Sequence, residues 1–262
     1  MPYKRTQVLV CAGTGCTIGN SGELIEEFEK EIKSMGLDRE IEVLRTGCLG
    51  LCGAGPNISI YPDNIIYKGV KKEDVKEIVM EHLYKGRPVQ RLMLNEADQE
   101  TKEIYDINHT RFYAKQKRVA LHNCGVIDPE NIEEYIGQDG YFALGQVLSQ
   151  MTPQEVVDVI KKSGLRGRGG GGFPTGLKWQ FAYNEPGDEK YVICNADEGD
   201  PGAFMDRSIL EGNPHSVIEA MVIAGYAIGA HYGYIYIRAE YPIAVERLKT
   251  AIAQAKELGL LG

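Results

Sequence analysis

The chain has 262 residues, with 43 % hydrophobic and 25 % charged side chains and a net charge of −8. That length suits two soluble globular domains better than one, and the acidic balance excludes a non-specific nucleic-acid surface, which needs a basic stripe. The longest apolar stretch, 220–230, is broken by glycines and falls well short of the roughly 20 residues that cross a bilayer. No apolar leader segment follows Met1, so a cytoplasmic protein without membrane insertion is expected.

Residues 7–10 alternate as a short strand that ends at Cys11. Asn20 with Glu23 three residues on is a helix-start pattern. Leu24, Ile25, Phe28, Ile32 and Met35 then recur at helical spacing, and Gly36 ends the run. A strand at 41–44 leads into a glycine-rich loop holding Cys48 and Cys52. Residues 58–61 and 65–67 form a hairpin across Pro62, Asp63 and Asn64. Residues 72–83 make an amphipathic helix with Val75, Ile78, Val79 and Leu83 on one face. With the first two strands parallel, the order β-α-β-β-β-α describes a small thioredoxin-like layer over residues 1–90.

Residues 91–140 are polar and weakly periodic and read as a linker with short helices. Thr152, Pro153 and Glu155 supply a cap, a first-turn proline and a capping-box acid. Val156, Val157 and Ile160 form the apolar face of that helix, and Gly164 stops it. A strand at 191–194, an almost wholly apolar buried helix at 215–229, a strand at 234–238 and an amphipathic helix at 244–258 follow. Strands alternating with helices predict a parallel α/β sheet in a second domain over 141–262.

The chemistry concentrates in three places. Cys11 and Cys16 are separated by four residues, and Cys48 and Cys52 by three. Each pair follows a strand, so both open at one end of a sheet, and glycines around them let backbone N–H groups approach sulfur. Four convergent thiolates suit an iron–sulfur cluster. Zinc, which prefers two-residue gaps within a pair, and two disulfides, which a reducing compartment disfavours, are the other readings. Cys124 and Cys194 are expected to be plain buried thiols.

The second place is Gly167, Arg168, Gly169, Gly170, Gly171 and Gly172, a run of amides able to cradle phosphate. It formally matches a dinucleotide fingerprint, but a helix precedes it where a strand should. Leu177 stands where a Walker loop requires lysine. A flexible linker is the alternative, although Phe173, Pro174, Leu177 and Trp179 follow at once. The third place is the acidic loop 195–202 beyond a strand, where open α/β sheets bind ligands; by itself it could be a solvated turn.

Residues 1–90 resemble the thioredoxin-like 2Fe–2S ferredoxins that accompany complex I and bacterial hydrogenases. The segment 164–179 (GLRGRGGGGFPTGLKW), with 195–207 and 237–242, resembles the flavin-binding subunit of complex I. It is more similar still to the NAD(P)-reacting flavoprotein subunit of multimeric, including electron-bifurcating, iron-only hydrogenases. The resemblance implies an α/β chain with a ferredoxin domain followed by the first part of a Rossmann-like FMN-binding domain. It implies a 2Fe–2S cluster on Cys11, Cys16, Cys48 and Cys52. The glycines from 167 to 172 and Lys178 would lie on FMN, and Asn195, Asp197 and Glu198 would bind its ribityl chain and ring. Phe173 and Phe181 would flank the adenine of NAD or NADP. Asp200, where complex I relatives usually carry glutamate, would approach the nicotinamide-side sugar.

That resemblance also implies an NAD(P)H oxidoreductase subunit, partnered by other iron–sulfur subunits of a hydrogenase or a formate dehydrogenase. A complex I-like enzyme and a non-catalytic electron-transfer module are the alternatives. No side chain is named as a catalytic acid or base, because flavin chemistry asks the protein for positioning. Family members continue into the rest of the flavin domain, a ubiquitin-like domain and a helical domain with a 4Fe–4S cluster. A chain ending at Gly262 is therefore expected to be truncated, with 4Fe–4S only in the missing part.

Overall fold

The computed structural model describes residues 4–94 and 113–262. They divide into two compact units, Met1–Asn131 with Glu211–Asn213, and Ile132–Leu210 with Pro214–Gly262.

In the first unit, β1 (Thr6–Cys11) is followed by the short helix α1 (Thr14–Ile18), α2 (Ser21–Ser34) and β2 (Ile41–Thr46). Strands β3 (Ile58–Tyr61) and β4 (Ile65–Tyr67) and helix α3 (Lys72–Glu77) complete it. The sheet order is β2-β1-β3-β4. β1 and β2 run parallel with Cys11 opposite Thr46, and the other neighbours are antiparallel. Because β1 and β2 finish in register, the loops carrying all four clustered cysteines leave the sheet at the same end. Val8, Val10, Ile58 and Ile60 from the strands meet Phe28, Ile32, Val75 and Ile78 from the helices in the core.

Three local expectations are refined. α1 is additional, and its five residues are too few to show a period. α2 starts where expected, but Asn20 enters it in the left-handed region at φ 64° and its side chain makes no capping bond. The helix expected at 72–83 changes to π-type winding over Ile78–Tyr84.

The bounds expected at 90 and 140 are not those of the two units. Residues 113–131, part of the expected linker, pack within the first unit. There the buried Thr46 hydroxyl donates to the Ile127 carbonyl at 3.0 Å and accepts from the Gly125 amide at 2.8 Å. An irregular segment whose polar backbone is satisfied by another strand's end carries no periodicity of its own. Residues 95–112 of the expected linker lie outside the described residues.

The second unit contains α4 (Ile132–Gly137), α5 (Phe142–Gln150), α6 (Pro153–Ser163), α7 (Thr175–Asn184) and β5 (Tyr191–Ala196). α8 (Met205–Gly212), whose last two residues group with the first unit, precedes α9 (Pro214–Ile228), β6 (Tyr232–Ile237) and α10 (Pro242–Glu257). β5 and β6 pair in parallel, as the alternation of elements predicts. α9 is the central helix, packing with Val147, Val156 and Val157 from α5 and α6. Its Glu219 is buried and capped into α5, accepting from the Tyr141 and Leu144 amides at 2.9 and 3.1 Å and from the Tyr135 hydroxyl at 2.7 Å.

Candidate functional site

The four clustered cysteines meet beyond the ends of β1 and β2. Cys11, Cys16 and Cys48 are buried and Cys52 is exposed. Cys48 and Cys52 have their sulfurs 3.4 Å apart, and Cys11 shares hydrogen bonds with both Cys16 and Cys48. The bond with Cys16, with burial adding to it, pushes the Cys11 thiol up to about 11, while the same bond lowers Cys16. The bond to Cys11 and burial raise Cys48.

All six cysteines are free, and the 3.4 Å separation is well beyond the ~2.05 Å of a disulfide. Among the described residues no three His, Cys, Asp or Glu side chains close around a single-ion centre. The four cysteines nonetheless gather beyond one end of the sheet, Cys11 and Cys16 beside Leu49 and Cys48 next to Cys52, and four thiolates are the donor set that a two-iron cluster takes.

The glycines here fill close contacts. A Cβ on Gly55 would stand 2.9 Å from Cys16 Sγ, one on Gly13 would be 3.0 Å from Cys48 Cβ, and one on Gly15 would be 3.3 Å from Cys52 Cβ. The Gly50 amide donates to Cys48 Sγ at 3.3 Å. Leu49 is buried and Leu51 half-buried beside the thiols. Tyr113 joins them, its hydroxyl donating to the Leu49 carbonyl.

Glu211 is also buried at this site and accepts from Thr14 through the amide at 3.1 Å and the hydroxyl at 2.5 Å. Neither Tyr113 nor Glu211 is legible in sequence, because each reaches the cysteine loops from far along the chain. Cys124, expected to be a plain thiol, is buried as packing: a Cβ on Gly47 would lie 2.7 Å from its sulfur, and one on Gly212 closer still.

In the second unit the glycine run forms a loop closed at its base. Arg166 and Pro174 form a bridge, the Gly167 amide donates to the Phe173 carbonyl at 2.9 Å, and the Thr175 amide donates to the Leu165 carbonyl at 2.9 Å. The Arg166 guanidinium donates to the Gly172 carbonyl at 2.9 Å. Gly170 and Gly172 sit at φ 97° and 60° and need glycine for that reason. Gly169 and Gly171 do not: their φ is ordinary, and a Cβ on either would meet nothing within 4 Å.

α7 starts directly behind the loop. It exposes Lys178 and carries Phe181, whose ring lies 6.4 Å from that of Phe173. Arg168 is exposed like Lys178.

The acidic loop follows β5. Asn195 is exposed on the open face of the sheet opposite Tyr236, and its side-chain oxygen accepts from the Asp197 amide at 3.1 Å. Asp197 and Asp200 are exposed. Glu198 is buried and differs in role from its neighbours. Its carboxylate accepts from the Met205, Asp206 and Arg207 amides at 2.6, 3.1 and 3.3 Å. It therefore caps the start of α8, and the Arg238 guanidinium and Tyr241 hydroxyl hold its carbonyl.

Residues 1–83 match the family described as thioredoxin-like 2Fe–2S ferredoxin, and residues 160–260 match the Nuo51 FMN-binding domain. The thioredoxin-like 2Fe–2S ferredoxin of Aquifex aeolicus is 33 % identical, with a TM-score of 0.34, over 36 % of this chain and 100 % of that one. The NADP-reducing hydrogenase subunit HndC of Solidesulfovibrio fructosivorans is 64 % identical over 56 % of this chain and 30 % of its own length. The F 2 subunit of the NADH-quinone oxidoreductase of Rhizobium meliloti is 50 % identical over 55 % and 34 %, respectively. The chain thus spans about a third of the length of these two relatives. Residues 1–83 belong to the thioredoxin-like 2Fe–2S ferredoxins and residues 160–260 to the Nuo51 FMN-binding domains, joined here in one chain.

Proposed function

We propose that this chain is the nicotinamide-reacting flavin and iron–sulfur subunit of a multimeric hydrogenase. It would pass electrons between NAD(P)H, FMN and the cluster on Cys11, Cys16, Cys48 and Cys52. One observation carries the flavin part: the glycine run 167–172 is closed into a loop by the Arg166–Pro174 bridge directly before α7, within the segment that matches the Nuo51 FMN-binding domain. Successive amides without side chains let phosphate oxygens approach the backbone.

FMN, once bound, converts the two-electron hydride of a nicotinamide into single electrons. The residues do the positioning. The amides of Gly169, Gly170 and Gly171 would hold the phosphate, Arg168 and Lys178 would add positive charge to its site, and Asn195 and Asp197 would offer polar groups to the ribityl chain and ring. Phe173 and Phe181, both exposed, offer ring faces to the adenine, with Asp200 near the ribose. Glu198 supports the site through α8. The four thiolates would hold the cluster, and Leu49, buried beside Cys11 and Cys16, would keep water from it.

The hydrogenase reading is favoured over a quinone oxidoreductase by the higher identity to the relative named as an NADP-reducing hydrogenase subunit. On this reading the partners are further iron–sulfur subunits. No helix among the described residues is long and apolar enough to cross a membrane.

The test adds NADH or NADPH anaerobically to the protein with and without FMN and follows the cluster by electron paramagnetic resonance (EPR). A reduced-cluster signal that requires both nucleotide and flavin is expected. A cluster that dithionite reduces, but nicotinamide and FMN together never do, would leave only an electron-transfer module.

A further inference from the structure

Asn57 stands between the Cys52 loop and β3, and it is 1 % exposed. Its carbonyl accepts from the Cys11 amide at 3.0 Å. Its side-chain nitrogen donates to the Leu51 carbonyl at 2.9 Å and reaches the Cys16 sulfur at 3.9 Å. The side-chain oxygen has no partner among the described residues. Leaving a buried acceptor unpaired is unfavourable, yet turning the amide over would set its oxygen against the Leu51 carbonyl and remove the donor from Cys16. Gly55 keeps the approach open, since a Cβ there would stand 2.9 Å from Cys16 Sγ and 3.5 Å from Asn57 Nδ2. The side chain is therefore held with both N–H groups committed, one to a carbonyl and one toward sulfur.

Hydrogen bonds donated to cluster sulfurs favour the more electron-rich, reduced state and raise the reduction potential. We propose that Asn57 is a positioning and tuning residue of the cluster site, raising the potential of the cluster through its side-chain N–H to the Cys16 sulfur. The inference rests on the assignment of a cluster to these four cysteines. Its effect on function is to set how readily the cluster accepts an electron.

The experiment is an EPR-monitored potentiometric titration of the full chain as wild type, Asn57→Leu and Asn57→Asp, with iron and labile sulfide measured on each sample. Wild-type iron and sulfide decide whether a cluster is present at all, so failure of that assignment is seen separately. With a cluster present, Asn57→Leu should lower the reduction constant by roughly tenfold, about 59 mV for one electron. Asn57→Asp should lower it further, because a carboxylate replaces the donor. Unchanged potentials in variants that keep their iron and sulfide overturn the proposal. Loss of the cluster in both variants also overturns it, because it would make Asn57 a structural pin only.

Discussion

A Cβ placed on Gly176 would stand 2.5 Å from the backbone nitrogen of Lys161, so α7 lies backbone to backbone against α6 at that point. Gly171, five residues earlier, has nothing within 4 Å of the same position. The two glycines answer different demands, and mutation should separate them. Gly176→Ala forces two helices apart and should cost about 3 kcal/mol in thermal or chemical unfolding.

Gly171→Val should leave stability within about 0.5 kcal/mol of wild type and iron content unchanged, while FMN affinity measured by fluorescence titration falls steeply. Unchanged FMN affinity would return the loop to a linker.

The thiols divide in the same way. Cys48→Ser removes a ligand and should strip iron and sulfide from the protein. Cys124→Ser should keep both, because that sulfur is packed between Gly47 and Gly212. Iron analysis and visible absorption of the two variants make the comparison.

Glu198→Gln should weaken the cap on α8 by about 1 to 2 kcal/mol, since the carboxylate serves three amides there. A variant with unchanged stability but weakened FMN binding would show instead that Glu198 acts on the ligand directly.

His82 links acidity to the stability of the first unit. It is buried, its Nδ1 paired with the Tyr67 hydroxyl at 2.7 Å and its Nε2 with Asp63 at 3.0 Å. Burial lowers its pKa, and the half-exposed Asp63 only partly opposes that. The neutral ring is therefore favoured in the folded state. The stability this gives is present above the ordinary histidine value of about 6.5 and is lost as pH falls below it. Melting of the wild type from pH 7.5 to 5.5 should show a steeper loss than melting of His82→Gln; equal slopes would contradict the linkage.

What is legible in the sequence is local or periodic. The Thr152 and Glu155 capping box exists as written, with the Thr152 amide donating to Glu155 at 2.8 Å and the Glu155 amide returning to the Thr152 hydroxyl at 3.4 Å. The parallel pairing that aligns Cys11 with Thr46 follows from two strands joined by one helix. α7 is not legible, because Leu177 and Phe181 are exposed and its apolar residues make no single stripe. α8 is hidden because its cap, Glu198, lies several residues upstream in a loop that reads as a turn. Asn57 carries no sequence signal, because its partners are a sulfur and two backbone groups from other loops, and no spacing rule marks such a residue.

The measurement that tests the central claim most directly is the composition and EPR of the anaerobically purified chain. The account predicts two irons and two labile sulfides, with no EPR signal when oxidised and a paramagnetic signal when reduced. One zinc and no sulfide would contradict it.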